Sequence, residues 1–155
     1  MSTIMSEPLR LIALDEEDLG VISAHLQDAV LKVRDMAYLP HSKRFALVAA
    51  RFDWLGIAQG KKERCHAGLH FECVLKAETA GFDQAKADAC LNLLSVNFIG
   101  DDLPAGHVVL TFSGGAAVKL TVECLEAQMR DLGSRWQAKA QPGHQCLEET
   151  PEKPA

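Results

Sequence analysis

The sequence predicts an α+β domain built on a strongly bent antiparallel sheet of six to seven strands, or a split barrel, with a helix near each end. Three observations carry this. Residues 67–79 (AGLHFECVLKAET) alternate apolar and polar positions, the period of a half-buried strand. Two stretches read as strand, turn, strand, one around PHSK (40–43) and one around GGA (114–116). Residues 15–29 and 125–136 instead space apolar side chains three and four apart, as an amphipathic helix does.

Residues 1–7 read as a loose arm and 8–14 as a short strand. Asp15 is a natural N-cap, followed by Glu16, Glu17 and Asp18 in the first turn, where the helix dipole favours negative charge. Leu19, Ile22, Leu26 and Ala29 form the helix stripe. From Val30 the period becomes that of a hairpin. Pairing Leu39 with Arg44 sets Tyr38 against Phe45, Met36 against Leu47, Val33 against Ala50 and Leu31 against Phe52, with Asp35 at a bulge. Residues 55–65 are a polar connection. In 67–79, Leu69, Phe71, Cys73, Leu75 and Ala77 share the dry face. Residues 90–99 give another strand, with Leu94, Val96 and Phe98 inward, and GDDLPAG (100–106) is a turn.

In LTFSGGAAVKLTVE (110–123), a loop of Gly114, Gly115 and Ala116 pairs Phe112 with Val118, Leu110 with Leu120 and Val108 with Val122. Every partner on that face is apolar, whereas a two-residue loop mixes the faces, so burial selects an odd loop length. A phosphate-binding loop would need a helix directly after the glycines, and a strand follows instead. Leu125, Met129, Leu132 and Trp136 then predict a closing amphipathic helix ending at Gly133, before a Pro- and Glu-rich disordered tail over 137–155. A bent antiparallel sheet closed by a C-terminal helix has the layout of pleckstrin-homology-like barrels. The single globular domain is thus expected over 8–136.

With 155 residues, 48% of them apolar, the chain can bury one core without disulfide or metal support. Its formal net charge of −5 disfavours nucleic-acid binding. Five cysteines (65, 73, 90, 124 and 146), with no CxxC, suit a reducing cytoplasm. The N-terminus shows no signal-peptide pattern, and no apolar run reaches the ~20 residues of a membrane span.

The segments LRLIALDEEDL, AHLQDAVLKV, AYLPHSKRFALVAARFDW, AGLHFECVL, LNLLSV and LTFSGGAAVKLTVECLEAQMRDLG, with Trp136, resemble an uncharacterised alphaproteobacterial family of unknown function, DUF2948, over roughly 9–136. The resemblance implies a bacterial cytosolic protein. It supplies no activity and no catalytic residue.

Candidate sites are therefore read from the residues. CHAGLHFEC (65–73) is rich in metal-ligand types. On a strand, however, His66 and His70 stand about 13 Å apart, too far to share an ion, and only His70 and Glu72 converge. No metal and no cofactor are expected. Cys65, beside Lys62 and Arg64, is the thiol with a chemical case for activation. Asp101 and Asp102 read as turn formers. Lys43 and Arg44 at one end of the strands, and Lys61, Lys62 and Arg64 at the other, are candidate binding cations. Trp54 is a core residue or, if exposed, an interface anchor. With no G-x-S-x-G and no H-E-x-x-H, the reading is a noncatalytic domain acting through a protein partner or self-association. An enzyme with a Cys/His pocket and an anion- or headgroup-binding module are the alternatives.

Overall fold

The computed structural model describes residues 8–138, and the expected N-terminal arm and most of the expected tail lie outside that range. Asp15 caps a helix as its sequence predicts. Its Oδ1 accepts from the Asp18 N–H at 2.8 Å, and α1 runs Glu16–His25 with Leu19 and Ile22 buried. Ten strands are described: β1 (Arg10–Ala13), β2 (Ala29–Lys32), β3 (Met36–Leu39), β4 (Arg44–Phe52), β5 (Glu63–Phe71), β6 (Val74–Ala80), β7 (Cys90–Asp102), β8 (Ala105–Phe112), β9 (Ala117–Val122) and β10 (Ala127–Gln137). They form one sheet in the order β1-β10-β5-β4-β2-β7-β8-β9-β6, with β3 paired to β4. The pairings are antiparallel.

The sheet is open, since β1 and β6 end the strand order. It is also bent. Met129 and Phe71 from one half share a core with Leu120 and Val74 from the other, and α1 adds Leu19, Ile22 and Leu26. Only a sheet folded over itself brings both halves to one cluster.

The expected strand count of six to seven and the closing C-terminal helix are corrected. Residues 127–137 form β10, which lies between β1 and β5. Ala127, Met129 and Asp131 alternate inward. A charge at 131 breaks the two-residue apolar period, so the helical spacing of Leu125, Met129 and Leu132 looked stronger than it was. The helix was the feature that suggested a pleckstrin-type layout, and among the described residues α1 is the one α-helix.

The predicted 67–79 strand is two strands. Cys73 adopts φ 60° at the corner, and the buried phase changes there: Leu69 and Phe71 point inward, then Val74 does, leaving Leu75 exposed. In the first hairpin, Leu39↔Arg44, Tyr38↔Phe45 and Met36↔Leu47 pair as expected. Beyond them, a 3₁₀ turn at Val33–Asp35 consumes three residues and Val30, not Val33, faces Ala50. Ala29 belongs to β2 rather than the helix stripe, and Leu93, not Leu94, is the deeply buried residue beside a register shift. The glycine hairpin turns one residue early, on Ser113, Gly114 and Gly115, so Leu110 faces Val118. The loop keeps its odd length, so the same side chains stay inside.

Candidate functional site

Two features are built where the half-sheet β1-β10-β5-β4 presents its faces. The outward face follows from register. One row across the strands reads Arg10, Arg130, Gly68, Val48, and the next reads Ile12, Gln128, His70, Ala46. All of these but Ile12, together with Arg44 and Leu132, line a cleft of about 380 Å³ whose floor is small and whose lining contains no carboxylate. Arg10 and Arg130 are exposed and stand directly opposite each other on neighbouring strands. Among the described residues neither makes an ion pair. His70 Nδ1 lies 2.8 Å from Glu72 Oε2, the convergence its strand spacing predicts, and that same oxygen accepts from Arg44 Nε at 2.7 Å.

On the inward face, at the other end of β4, lies a buried charge cluster. Arg51, Cys65 and Arg135 occupy facing positions on β4, β5 and β10. They do so because β10 carries two extra residues between Leu132 and Arg135, around Gly133 at φ 74°. Arg51 is fully buried and binds Asp131 through both ends of its guanidinium, Nε to Oδ1 at 2.7 Å and Nη2 to Oδ2 at 2.9 Å. The Leu9 N–H donates to Asp131 Oδ2 at 2.9 Å. Arg135 Nη1 donates to Asp53 Oδ2 at 2.6 Å. Burial alone would raise the Asp131 pKa, but the Arg51 and Leu9 hydrogen bonds outweigh it and hold the carboxyl below its ordinary value. Burial, then the Arg51 charge, lowers the pKa of His25, whose buried Nδ1 has no hydrogen-bond partner. Arg51, Asp53 and Arg135 border a cavity of about 230 Å³ with Leu9, Leu55, Gly56, Gln59 and Lys61.

The residues singled out in the sequence fall as follows. Lys43 pairs with Glu123 at 3.2 Å and Arg44 with Glu72, so both are engaged within the chain. Lys43 and Arg44 lie roughly 26 Å along β4 from the 61–64 cations, at ~3.3 Å per residue. Lys61 and Lys62 are exposed, and Lys61 reaches the smaller cavity. Arg64 is no part of a surface patch. It is buried, donates Nη1 to the Ala50 carbonyl at 2.8 Å and sits 5.9 Å over the Phe52 ring. Trp54 packs edge-on against Phe52 at 4.8 Å and donates Nε1 to the Gln27 carbonyl at 3.1 Å. It is only partly buried, and it does not line the cavity that the following loop borders. Cys65 is corrected as an activated thiol: burial pushes it up to about 11, and Arg51 only partly offsets that. Asp101 and Asp102 are corrected as turn formers: both lie in β7, the turn is Leu103 and Pro104, and the Asp101 carboxylate meets His107 Nδ1 on β8.

Sequence reasoning missed Arg10, Arg130, Arg51 and Asp131. The last two had a signal. Each interrupts an apolar inward stripe, Leu47-Ala49-Arg51 on β4 and Ala127-Met129-Asp131 on β10, with opposite charges.

The family model described as "Protein of unknown function (DUF2948)" matches residues 9–144. No curated protein matches the chain. No solved structure matches it either.

Proposed function

The chain belongs to the DUF2948 family, a premise that assigns no activity, and we propose from its geometry that it is a noncatalytic cytosolic binding domain whose outward face docks an acidic protein segment. The observation that carries this is Arg10 set directly opposite Arg130, with neither paired to a carboxylate among the described residues. Like charges in facing strand positions are destabilising. A partner's carboxylates placed between them turn that repulsion into two charge-assisted contacts. Ile12 and Val48, 58% and 40% exposed, lie on the same face. Arginine mixed with exposed apolar side chains suits a protein interface better than a free anion.

The test is fluorescence anisotropy with a labelled Glu-rich peptide carrying interspersed leucines. Binding should weaken with salt, and Arg10→Glu/Arg130→Glu should reduce affinity by about tenfold or more, as loss of two charged contacts implies. Peptide binding unchanged in that variant defeats the reading. Retention on anionic vesicles with no peptide binding replaces it with headgroup recognition, now through Arg10 and Arg130 rather than Lys43 and Arg44.

A further inference from the structure

Two chain corners far apart in sequence meet beside this face. One joins β5 to β6 at Glu72 and Cys73, and the other joins β9 to β10 at residues 123–126. Backbone hydrogen bonds lace them together, from the Glu72 N–H to the Glu126 carbonyl and from the Glu123 N–H to the Cys73 carbonyl, both 2.9 Å. Cys73 holds φ 60°, a left-handed conformation that costs a non-glycine residue about 1–2 kcal/mol. The corner brings Cys73 Sγ to 3.6 Å from Cys124 Sγ. The Glu126 carboxylate joins them, and the three donor atoms all lie within 4.8 Å of one another.

We propose that Cys73, Cys124 and Glu126 form a binding site for a thiophilic divalent cation of the zinc class. The spacing of the sulfurs is the reason. Two thiolates at 2.3 Å from a tetrahedral ion stand about 3.8 Å apart, so these sulfurs are within a few tenths of an ångström of that edge. A disulfide would require them to close to about 2.05 Å. A carboxylate oxygen on the third vertex stands about 3.6 Å from each sulfur, a small rotation of an exposed side chain away. Two soft donors and one hard donor suit zinc and disfavour calcium or magnesium, which take all-oxygen shells. On coordination each thiol releases its proton to solvent. Both thiols are partly exposed, so an ion can reach them. Cys124 also lines a cleft of about 590 Å³ with Phe98, Asp101 and Leu103, so a fourth position faces space for water or a small ligand. The sequence expectation of no metal rests on contiguous residues 65–73. This triad is assembled from two segments, and no local spacing in the sequence shows it. It does not depend on the docking face.

The experiment titrates cobalt(II), then zinc, into the chelator-stripped full chain and reads thiolate-to-cobalt charge transfer. One equivalent should bind. Cys124→Ser should abolish the band. Glu126→Gln, a change of one exposed atom, should weaken binding by at least the roughly 10–100-fold known for residues one shell further out. Cys65→Ser should leave it intact. In the unaltered protein, zinc should slow alkylation of Cys73 and Cys124 as mapped by mass. No charge-transfer band, a band retained in Cys124→Ser, or alkylation indifferent to zinc overturns the assignment.

Discussion

Arg51 and Asp131 sit where two apolar stripes should continue, and each tolerates its position because of the other. Removing Asp131 leaves a buried guanidinium without its counter-charge. Asp131→Ala should therefore cost about 3–5 kcal/mol in urea denaturation, whereas a well-packed apolar pair at both positions should recover most of it. Acid should act in two steps. His25 has a lowered folded pKa, so stability is full above the unfolded value near 6.5 and declines as pH falls from there toward the folded value. Replacing it with Leu removes an unpartnered buried nitrogen and should flatten that portion of the stability–pH curve. Asp131 also has a lowered folded pKa. Its contribution is present above the unfolded value of 3.8 and is lost as pH falls through the lower folded value, a step Asp131→Asn should remove. The native protein should leave Cys65 unlabelled by a thiol probe near neutral pH, because burial both shields that sulfur and keeps it protonated.

Strand pairs with one dry face were legible, because a one-residue slip would expose their apolar sets. The register of β3 on β4 and the odd glycine loop both follow from that constraint. The corner at Cys73 and the turn at Val33–Asp35 were not legible, since each changes the phase of the pattern without any Gly or Pro to mark it. β10 was misread for a related reason, its buried charge. The outward arginines were invisible because their meaning lies in facing residues more than a hundred positions away. Glycine substitutions separate two kinds of turn. Gly81, at φ 79°, abuts the Gly115 carbonyl, so Gly81→Ala meets backbone as well as an unfavourable conformation. Gly114, at φ 77°, faces open space. Gly114→Ala should cost about 1 kcal/mol, for the left-handed conformation alone, and Gly81→Ala distinctly more, as judged by denaturation midpoints.

At the scale of the whole molecule, an acidic chain sets Arg10 and Arg130 apart on one half of its sheet, where the neighbouring Glu72 is taken up by Arg44 and His70. Net charge taken over the full sequence could not reveal such a separation. Among the described residues, no helix is long and apolar enough to cross a membrane. The sheet owes its arrangement to β10, which pairs with β5 on one side and β1 on the other. A chain ending before Ala127 loses both pairings and the Asp131 partner of Arg51. It should fail to give a cooperative unfolding transition and should bind a hydrophobic dye that the full chain does not.

The contact between Leu9 and Asp131 spans 122 positions. On a ribosome adding about 5–20 residues per second, the first strand waits roughly 6–24 s before its neighbour has even been synthesised. Arg51 precedes Asp131 by 80 positions and waits roughly 4–16 s for it, and until β10 arrives the bare rims of β1 and β5 are open to other nascent chains. The final assembly of this half of the protein therefore waits for β10, and in a crowded cell that wait is the stage at which a holdase chaperone would have most to shield.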